Sequence, residues 1–305
     1  MKSPARLLTR LWQIAISYPA LALLWLIHWL PLPLIRMLGA ALGHLLRILS
    51  RERRAIARIN LALCFPGMDE MARERLLRRH FVVFAQSLLD RSLLWWASRK
   101  RLARLIALKG SEHLQCADGC PVLLLAPHFV GLDAGGIAIS RLTPVVSIYS
   151  RQKNPLFNRM FYAGRMRFNA ASILLSRQEG VRRVLKAMRQ GLPLYYLPDM
   201  DFGRDESIFV PFFGVPAATI PGVSRLARAT GAKVLPVIAR LTPGGYEVEI
   251  MPPRENFPGE NMEEDTAFIN RFIEERIMTM PEQYYWLHKR FKTRPPGEEK
   301  LYPKF

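Results

Sequence analysis

The sequence predicts an α/β fold, with a mixed, mostly parallel sheet flanked by helices and preceded by an N-terminal membrane-anchoring helical segment. Three observations support this. After residue 109, short apolar runs alternate with amphipathic segments, which is typical of parallel strands joined by helices. Polar clusters directly follow several of those runs, where open α/β sheets bind ligands. Residues 11–35 carry no formal charge, and that apolar length is sufficient to enter a bilayer.

The composition points to a membrane surface. Of the 305 residues, 44 are Lys or Arg and 25 are Asp or Glu, which leaves a net charge of +19, while 50% are hydrophobic. This combination excludes a disordered basic tail and argues against a soluble nucleic-acid binder. The three cysteines lack the spacing of a zinc site or of a disulfide framework, which fits a reducing compartment.

The anchor is predicted over residues 1–40. Its apolar run contains Trp12, Trp25 and Trp29 and exceeds the roughly 20 residues that a spanning helix needs. Its prolines leave two alternatives, a kinked segment lying in the interface and a soluble helical hairpin. Many arginines follow the run, so the positive-inside rule places the rest of the chain on the cytoplasmic side.

The apolar run is followed by a single predicted domain over residues 41–305. Apolar stripes among arginines predict a helical lead-in over 41–108, broken at Pro66-Gly67. The α/β core is predicted over 109–293 and a basic, proline-rich tail over 294–305. The predicted strands are 122–126, 145–149, 172–175, 194–197, 233–238 and 247–250. The predicted core helices are 134–141, 156–168, 178–189, 222–230 and 263–280.

His128 and Asp133 lie where the strand over 122–126 ends and a glycine-containing helix begins. A neutral imidazole can accept a proton from a hydroxyl at neutral pH, and a carboxylate on its second nitrogen would orient it. The five-residue spacing allows the turn to bring Asp133 back to His128. The alternative is a histidine at a helix start, with Asp133 interacting with the helix dipole.

Further polar clusters follow other predicted strands. Arg151 and Asn154 come after the second strand, and Arg165 lies at the end of the next helix. Guanidinium groups match phosphate oxygens, so these residues could bind an anion or could form a solvated basic loop. Asp199 and Asp201 follow a later strand, with Arg204 close behind. Two carboxylates there suggest arginine partners, a helix cap or a metal site, and we expect no metal.

Two aromatic stretches complete the candidate residues. Phe212 and Phe213 lie in a loop of aromatic and small residues, which could line an apolar tunnel or simply fill the core. Residues 286–292 mix aromatic and basic side chains, and their alternative interpretation is a surface helix whose cations reach solvent.

The order of these clusters resembles the four-block layout of the glycerolipid acyltransferase superfamily. Within it, the resemblance is greatest to the lipid A late acyltransferases, the lauroyl and myristoyl transferases. The PDMDFG and WLHKRFKTRP stretches carry the resemblance more specifically than His-x4-Asp does. Some members of that family have Glu where this chain has Asp133. The glycerol-phosphate branch has Phe-Pro-Glu-Gly where this chain has Leu-Pro-Asp-Met-Asp-Phe-Gly. The resembling segments are 128–133, 149–155, 164–169, 198–203, 212–219 and 286–295.

The resemblance implies acyl transfer from an acyl carrier protein thioester to a hydroxyl on an acyl chain of a lipid A precursor. It implies His128 as general base, Asp133 as its orienting group, and Arg151 and Arg165 as ligands of a phosphate or oxyanion, held in place by acidic residues. It implies no cofactor beyond the carrier thioester. The expected partners are the acidic carrier, the lipid A precursor and an anionic membrane surface, not nucleic acid. The expected location is the cytoplasmic face of the bacterial inner membrane.

Two other functions stay open from the residues. Basic charge and apolar surface would suffice for a non-catalytic, membrane-associated binder of anionic lipid. An acyltransferase of the same superfamily could also act on another glycolipid. Because each methylene contributes only about 0.8 kcal/mol of burial, the sequence leaves the transferred chain length open.

Overall fold

The computed structural model describes residues 17–114 and 119–303. These residues form ten α-helices and nine strands. The helices are α1 (Ser17–Ile27), α2 (Leu32–Leu49), α3 (Arg51–Cys64), α4 (Glu70–Trp96), α5 (Arg99–Leu105), α6 (Leu132–Ser140), α7 (Pro155–Met166), α8 (Val181–Arg189), α9 (Gly222–Thr230) and α10 (Met262–Thr279). The strands are β1 (Ile106–Lys109), β2 (Val122–Leu125), β3 (Val146–Tyr149), β4 (Ile173–Ser176), β5 (Leu194–Tyr196), β6 (Ile208–Phe212), β7 (Val215–Thr219), β8 (Lys233–Thr242) and β9 (Gly245–Ile250).

Seven strands form the central sheet, in the order β1-β9-β8-β2-β5-β3-β4. All of its pairings are parallel except the β8–β9 hairpin, so the predicted mixed, mostly parallel sheet is confirmed. All four residues of β2 are buried, because this central strand is covered on both faces. The pairing of β3 with β5 covers only two residues of each strand, so these two strands separate towards their carboxyl ends.

Alternate side chains of β2 belong to different hydrophobic clusters. Leu123 and Leu125 pack with α8, α9 and α10, whereas Val122 and Leu124 pack with α1, α2, α5, α6 and α7. The long helix α4 contributes to both clusters. The sheet therefore separates two layers of helices, and α1 and α2 lie on the opposite side from α8 and α9.

The apolar run over residues 11–35 is divided between two helices within the described part. Residues 11–16 lie outside the described residues, and the remainder forms α1 and α2, separated by a turn that ends at Pro31. Proline disfavours helical backbone in the residue before it and donates no N–H, so the first helix ends there. Among the described residues, α2 is the one helix long and apolar enough to cross a membrane by length and composition.

Helix α2 packs closely on α4 through two glycines. A Cβ at Gly39 would lie 2.7 Å from Gln86, and one at Gly43 would lie 2.6 Å from the Phe81 carbonyl oxygen, so the two backbones meet directly. The remaining faces of the two N-terminal helices are exposed and apolar, which fits membrane association. We call this set the α1–α2 apolar surface: Tyr18, Leu23, Trp25, Leu26, Trp29, Leu34, Met37, Leu38, Leu45, Ile48 and Leu49.

Three parts of the fold differ from the sequence prediction. The predicted end of the helical lead-in at residue 108 falls within β1, which pairs with β9 as an edge strand. The aromatic loop is instead an antiparallel hairpin of β6 and β7. The stretch over 286–292 is not a surface helix: its backbone is irregular, and Trp286 and Arg290 are buried.

Candidate active site

His128 follows β2 and is held by a carboxylate from the end of β5. The Nδ1 of His128 lies 2.7 Å from Oδ1 of Asp199, and the His128 backbone N–H donates to Oδ2 at 3.0 Å. Because β2 and β5 are adjacent parallel strands, their carboxyl ends bring the two residues together. The pairing of Nδ1 leaves Nε2 as the nitrogen that can accept a proton, and His128 lines a large cavity.

Asp199 is buried, and its charge is balanced by the groups around it. Burial alone would raise the pKa of Asp199, but the His128 ring, its two hydrogen bonds and Arg290 together lower that pKa below its ordinary value. The carboxyl therefore remains ionised. Arg290 is fixed from the other side, because it donates to the Ala218 carbonyl at 2.9 Å and to the Thr219 hydroxyl at 2.8 Å.

The expected hydrogen bond between His128 and Asp133 is not formed. Asp133 instead accepts from Arg165 at 2.8 Å and lies 3.2 Å from a guanidinium nitrogen of Arg91. Burial would raise the pKa of Asp133, but the two arginines outweigh burial and lower it. The turn after β2 places Asp133 in the first turn of α6, from which it faces α4 and α7.

Close contact between α4 and α7 brings the two arginines together. A Cβ at Gly164 would lie 2.2 Å from the ring of Trp95, so α7 reaches α4 only with a glycine at that position. Arg165 is the next residue of α7, and Arg91 lies one turn before Trp95 on α4. Both guanidinium groups thereby reach the single carboxylate of Asp133, and the cluster keeps one net positive charge.

Asp201 does not hold an arginine of the site, contrary to the expectation from the sequence. Its carboxylate accepts from the Thr293 backbone N–H at 2.7 Å, from the Thr293 hydroxyl at 2.8 Å and from the Gly203 N–H at 2.9 Å. The Asp201 N–H donates to Nε2 of His288 at 3.0 Å. This residue therefore fixes the C-terminal stretch beneath the site, and Asp199 alone of the two carboxylates contacts His128.

A cavity of about 980 Å³ lies against His128 and extends over both faces of the sheet. That volume is near the upper end of the roughly 300–1,000 Å³ of small-molecule sites. Consecutive residues of two strands line it, Ser147 with Ile148 and Tyr195 with Tyr196, and such neighbours point to opposite faces of a sheet.

One part of the cavity, the α6 arm, follows α6 from its first residue to its last. Gly136, Ile137 and Ser140 line it, and Val145, just before β3, lies at its inner end. Ile137, Ser140 and Val145 are buried, so this arm ends inside the protein. The nine residues of α6 span about 13 Å. The Ser140 hydroxyl donates to the Ile137 carbonyl, which leaves the wall largely apolar.

The other part, the α8–α9 arm, lies between those two helices on the opposite face. Val181 and Leu185 of α8 line it together with Leu226 and Ala229 of α9. Val181 and Ala229 are exposed, so this arm opens to solvent. Arg177 and Arg225 lie among its lining residues, and the Arg177 guanidinium stacks 3.7 Å above the ring of Phe202.

The remaining predicted site residues do not line the cavity. Arg151 is exposed, Asn154 caps α7 by accepting from Leu156 N–H at 3.0 Å, and Arg204 donates to the Arg294 carbonyl at 3.2 Å. The predicted tunnel residues are also elsewhere. Phe212 is fully buried under Arg290, and Phe213 packs against Phe65 at the tip of the hairpin. The hairpin turn, absent from the prediction, rotates both rings into the core.

Several residues of the site were missed in the sequence. Arg91 lies among the many arginines of a predicted helical segment, and Tyr285 directly precedes the basic aromatic stretch over 286–292. The Tyr285 backbone N–H donates to the His128 carbonyl at 3.0 Å, which fixes the loop that carries the histidine. Of the cavity-lining arginines, Arg225 lies in the predicted helix over 222–230, and Arg177 directly precedes the one over 178–189. The contacts of these residues leave no spacing pattern in the sequence, because they join segments that are far apart in the chain.

The comparisons with known proteins identify the family of this chain. The family model described as bacterial lipid A biosynthesis acyltransferase matches residues 2–293. Among the relatives, the lipid A biosynthesis lauroyltransferase of Escherichia coli is 35% identical over 98% of this chain and 98% of its own. The palmitoleoyltransferase of that organism is 34% identical over 94% of both chains, and its myristoyltransferase 30% identical over 88% and 83%. The chain belongs to the bacterial lipid A biosynthesis acyltransferase family.

Proposed function

We propose that this acyltransferase of lipid A biosynthesis moves a fatty acyl chain from an acyl carrier protein thioester to a hydroxyl on an acyl chain of a lipid A precursor. The single observation that carries the proposal is the His128–Asp199 pair, placed where an apolar cavity meets the Asp133–Arg165–Arg91 cluster. A base, a cationic group and space for a hydrocarbon chain are what this reaction requires.

In the first step, Nε2 of His128 accepts the proton of the acceptor hydroxyl while its oxygen attacks the thioester carbonyl carbon. The Asp199 carboxylate keeps the ring in the required tautomer and stabilises the imidazolium that forms. In the second step the carbon–sulfur bond breaks, and the imidazolium returns the proton to the leaving thiolate. The ester and the free thiol balance the reaction without a covalent enzyme intermediate and without a cofactor.

Arg165 has the role of stabilising negative charge in this mechanism. It lines the cavity, and the carboxylate of Asp133 fixes its guanidinium while Arg91 supplies a second cation. A cation held in advance stabilises the oxyanion of the tetrahedral intermediate without reorganising during the reaction. The net positive charge would also attract a phosphate of the acceptor. Asp133 is then a positioning residue for the arginines.

The α6 arm is the proposed site of the donor chain. It is apolar and closed, so a chain that fills it is buried, while a longer one meets its inner end. At roughly 1.3 Å per methylene, as carbon–carbon bond lengths set, the 13 Å of α6 correspond to about ten carbons. The relatives are named for different acyl groups. In this proposal, the inner end of the α6 arm sets which length of donor chain is accepted.

The membrane context follows from the N-terminal helices. The α1–α2 apolar surface would lie in the bilayer, and the arginines after it would meet anionic headgroups. We place the enzyme at the inner membrane with its catalytic domain on the cytoplasmic face, where acyl carrier protein thioesters are available. Its partners are then the acidic carrier, the lipid A precursor and the anionic membrane surface, not nucleic acid.

The test is transfer of a labelled acyl group from acyl carrier protein to a lipid A precursor by wild type and by His128→Ala. We expect the variant to lose about 10²–10⁴-fold in turnover, the usual contribution of a general base. His113→Ala is the matched control, because His113 is a partly exposed histidine that does not line the cavity. Full activity of His128→Ala would refute the mechanism. Lipid binding without transfer by wild type would favour a non-catalytic binder.

A further inference from the structure

Helices α8 and α9 present a strongly basic surface on one side of the molecule. Neither helix contains an acidic residue, and α8 has the sequence VRRVLKAMR. Its apolar side is buried through Val184, Ala187 and Met188, so its cations face solvent. Five exposed cations of these two helices have no acidic partner on an adjacent helical turn. We call them the α8–α9 basic surface: Arg182, Lys186, Arg189, Arg225 and Arg228.

Little of this charge is neutralised within the protein. Arg182, Lys186 and Arg225 form no salt bridge with any residue that the structure describes. Arg228 lies 3.9 Å from the Asp265 carboxylate, at the limit of an ion pair, and Arg189 donates to the Ala229 carbonyl at 3.3 Å. By contrast, Arg183 is paired with Glu179 on the neighbouring turn. The surface is therefore open to an acidic partner.

The basic surface borders an opening of the cavity that contains His128. Val181 and Ala229 are exposed and line the α8–α9 arm, and Arg225 lines it as well. Arg182 directly follows Val181, and Lys186 follows Leu185, which also lines the arm. A partner bound to these cations would stand beside a route to the catalytic histidine.

The position of this surface favours a soluble partner over a membrane. The α1–α2 apolar surface belongs to the helix layer on the other face of the sheet. A bilayer in contact with α1 and α2 would therefore lie across the sheet from α8 and α9. Basic residues that bind anionic lipid together with an apolar anchor usually lie beside that anchor.

We propose that the α8–α9 basic surface is the docking site of the acidic acyl carrier protein, and that the thioester enters between α8 and α9. This inference rests on the proposed function, since it assumes the carrier as donor. Opposite charge raises the rate of encounter and orients the partners, and the open α8–α9 arm would admit the thioester linker. The acyl chain would continue past His128 into the closed α6 arm.

The test uses the full chain with the double variant Arg182→Glu/Lys186→Glu, which leaves the cavity lining unchanged. Two donors carry the same acyl group: the acyl carrier protein thioester and the small acyl-pantetheine thioester. We expect kcat/KM for the carrier thioester to fall about 10–100-fold, with most of the loss in KM, and to converge towards wild type as salt is added. We expect kcat/KM for acyl-pantetheine to stay within twofold of wild type.

The matched control is Arg75→Glu/Arg79→Glu. It reverses two exposed cations with the same i,i+4 spacing on α4, away from the cavity. An equal loss of carrier activity in this control would assign the effect to net charge and overturn the docking site. Equal losses with both donors in the α8 variant would also overturn it. Thermal unfolding of both variants identifies a general loss of structure.

Two further measurements separate this inference from its premise. Unacylated carrier protein should bind wild type and the control with similar Kd, and bind the α8 variant at least tenfold more weakly, whether or not transfer occurs. Unchanged carrier binding together with weaker sedimentation on phosphatidylglycerol vesicles would assign the surface to the membrane and overturn the proposal. Failure of wild type to transfer from either donor would refute the proposed function, while the carrier-binding result still decides the surface.

Discussion

The two carboxylates nearest the reacting centre, Asp133 and Asp199, have different partners. Asp133 is five residues from His128 in the chain, yet it faces Arg165 and Arg91. Asp199 is 71 residues away and holds both the ring and the backbone N–H of His128. Asp199 is buried, whereas Asp133 borders the cavity. The site is therefore divided into a histidine–carboxylate pair and a cationic cluster with its counterion.

This difference shows what limits inference from spacing. A helix begins directly after His128, and its first turn directs Asp133 away from the imidazole and towards α4 and α7. The adjacent strands β2 and β5 instead bring their carboxyl ends together. The carboxyl ends of adjacent parallel strands lie at one edge of the sheet, where open α/β sheets bind ligands.

The largest expected effect contrasts Asp199→Asn with Asp133→Asn. Loss of the Asp199 charge should lower kcat about 10³–10⁴-fold with little change in KM, because an amide can hold His128 in the wrong tautomer. Loss of the Asp133 charge should lower kcat less, because Asp133 acts only by holding the arginines and an amide oxygen still accepts a hydrogen bond from Arg165. Steady-state kinetics with the carrier thioester measure both. A larger loss of kcat in Asp133→Asn than in Asp199→Asn would contradict the different roles proposed for the two carboxylates.

A control is needed because Asp199 is buried. Asp199→Glu retains a carboxylate and should recover part of the kcat that Asp199→Asn loses, whereas a merely structural role would make the larger side chain worse. Thermal unfolding midpoints of the three proteins reveal any general loss of structure.

The next effect distinguishes the two arginines. Arg165→Ala should lower kcat about 10²-fold, the usual loss when one group that stabilises an oxyanion is removed. Arg91→Ala should cost several-fold less, because Arg91 lies farther from Asp133, at 3.2 Å against 2.8 Å for Arg165, and Arg165 still supplies a cation at the cavity. Arg165→Lys should retain part of the activity, since it keeps the charge but not the planar fork. Equal losses of kcat in Arg91→Ala and Arg165→Ala would indicate that the two arginines have the same role.

A smaller effect concerns the α6 arm. A Cβ at Gly136 would lie 3.7 Å from Tyr195, so a side chain fits there and projects into the arm. Gly136→Leu should shift the preference towards donors several carbons shorter, with about a tenfold change in the ratio of kcat/KM for long and short chains. Ala229→Leu, in the open α8–α9 arm, is the control and should leave that ratio unchanged. Competition between labelled donors gives the ratio directly.

The smallest effect tests a histidine that has no carboxylate partner. His80 is fully buried, its Nδ1 bonds to the Glu282 carbonyl, and burial lowers its pKa to about 4. The unfolded chain therefore takes up a proton near pH 6.5, whereas His80 in the folded protein stays neutral there. The free energy of unfolding consequently falls as the pH drops below 6.5. Between pH 7 and pH 5.5 we expect a loss of about 1 kcal/mol from this residue.

The check is the free energy of unfolding of wild type and His80→Gln as a function of pH. The variant should lose less stability on acidification by about that amount, even though it is less stable at neutral pH. Parallel curves would show that His80 is protonated in the folded protein. His288, whose pKa is also lowered to about 4 by burial, adds a dependence of the same sign in both proteins.

Much of the fold followed from local patterns. Each of the six predicted strands and five predicted core helices overlaps an observed element, because apolar period and turn residues are encoded within a short segment. The misses were β1, an edge strand directly after a helix, and the β6–β7 hairpin, whose prolines and aromatic residues resemble a loop. The N-terminal run was apolar as predicted, but Pro31 divides it.

The sequence by itself determined that His128 follows a buried strand, that cations and carboxylates follow its neighbours, and that the chain is both basic and apolar, as suits a membrane surface. These features depend on residue type and period along the chain. Only the tertiary structure decided which carboxylate holds the histidine, which arginines share Asp133, and where the cavity runs. The physical reason is that strand order and helix packing set those distances, and two residues 71 positions apart carry no local sign that they will meet.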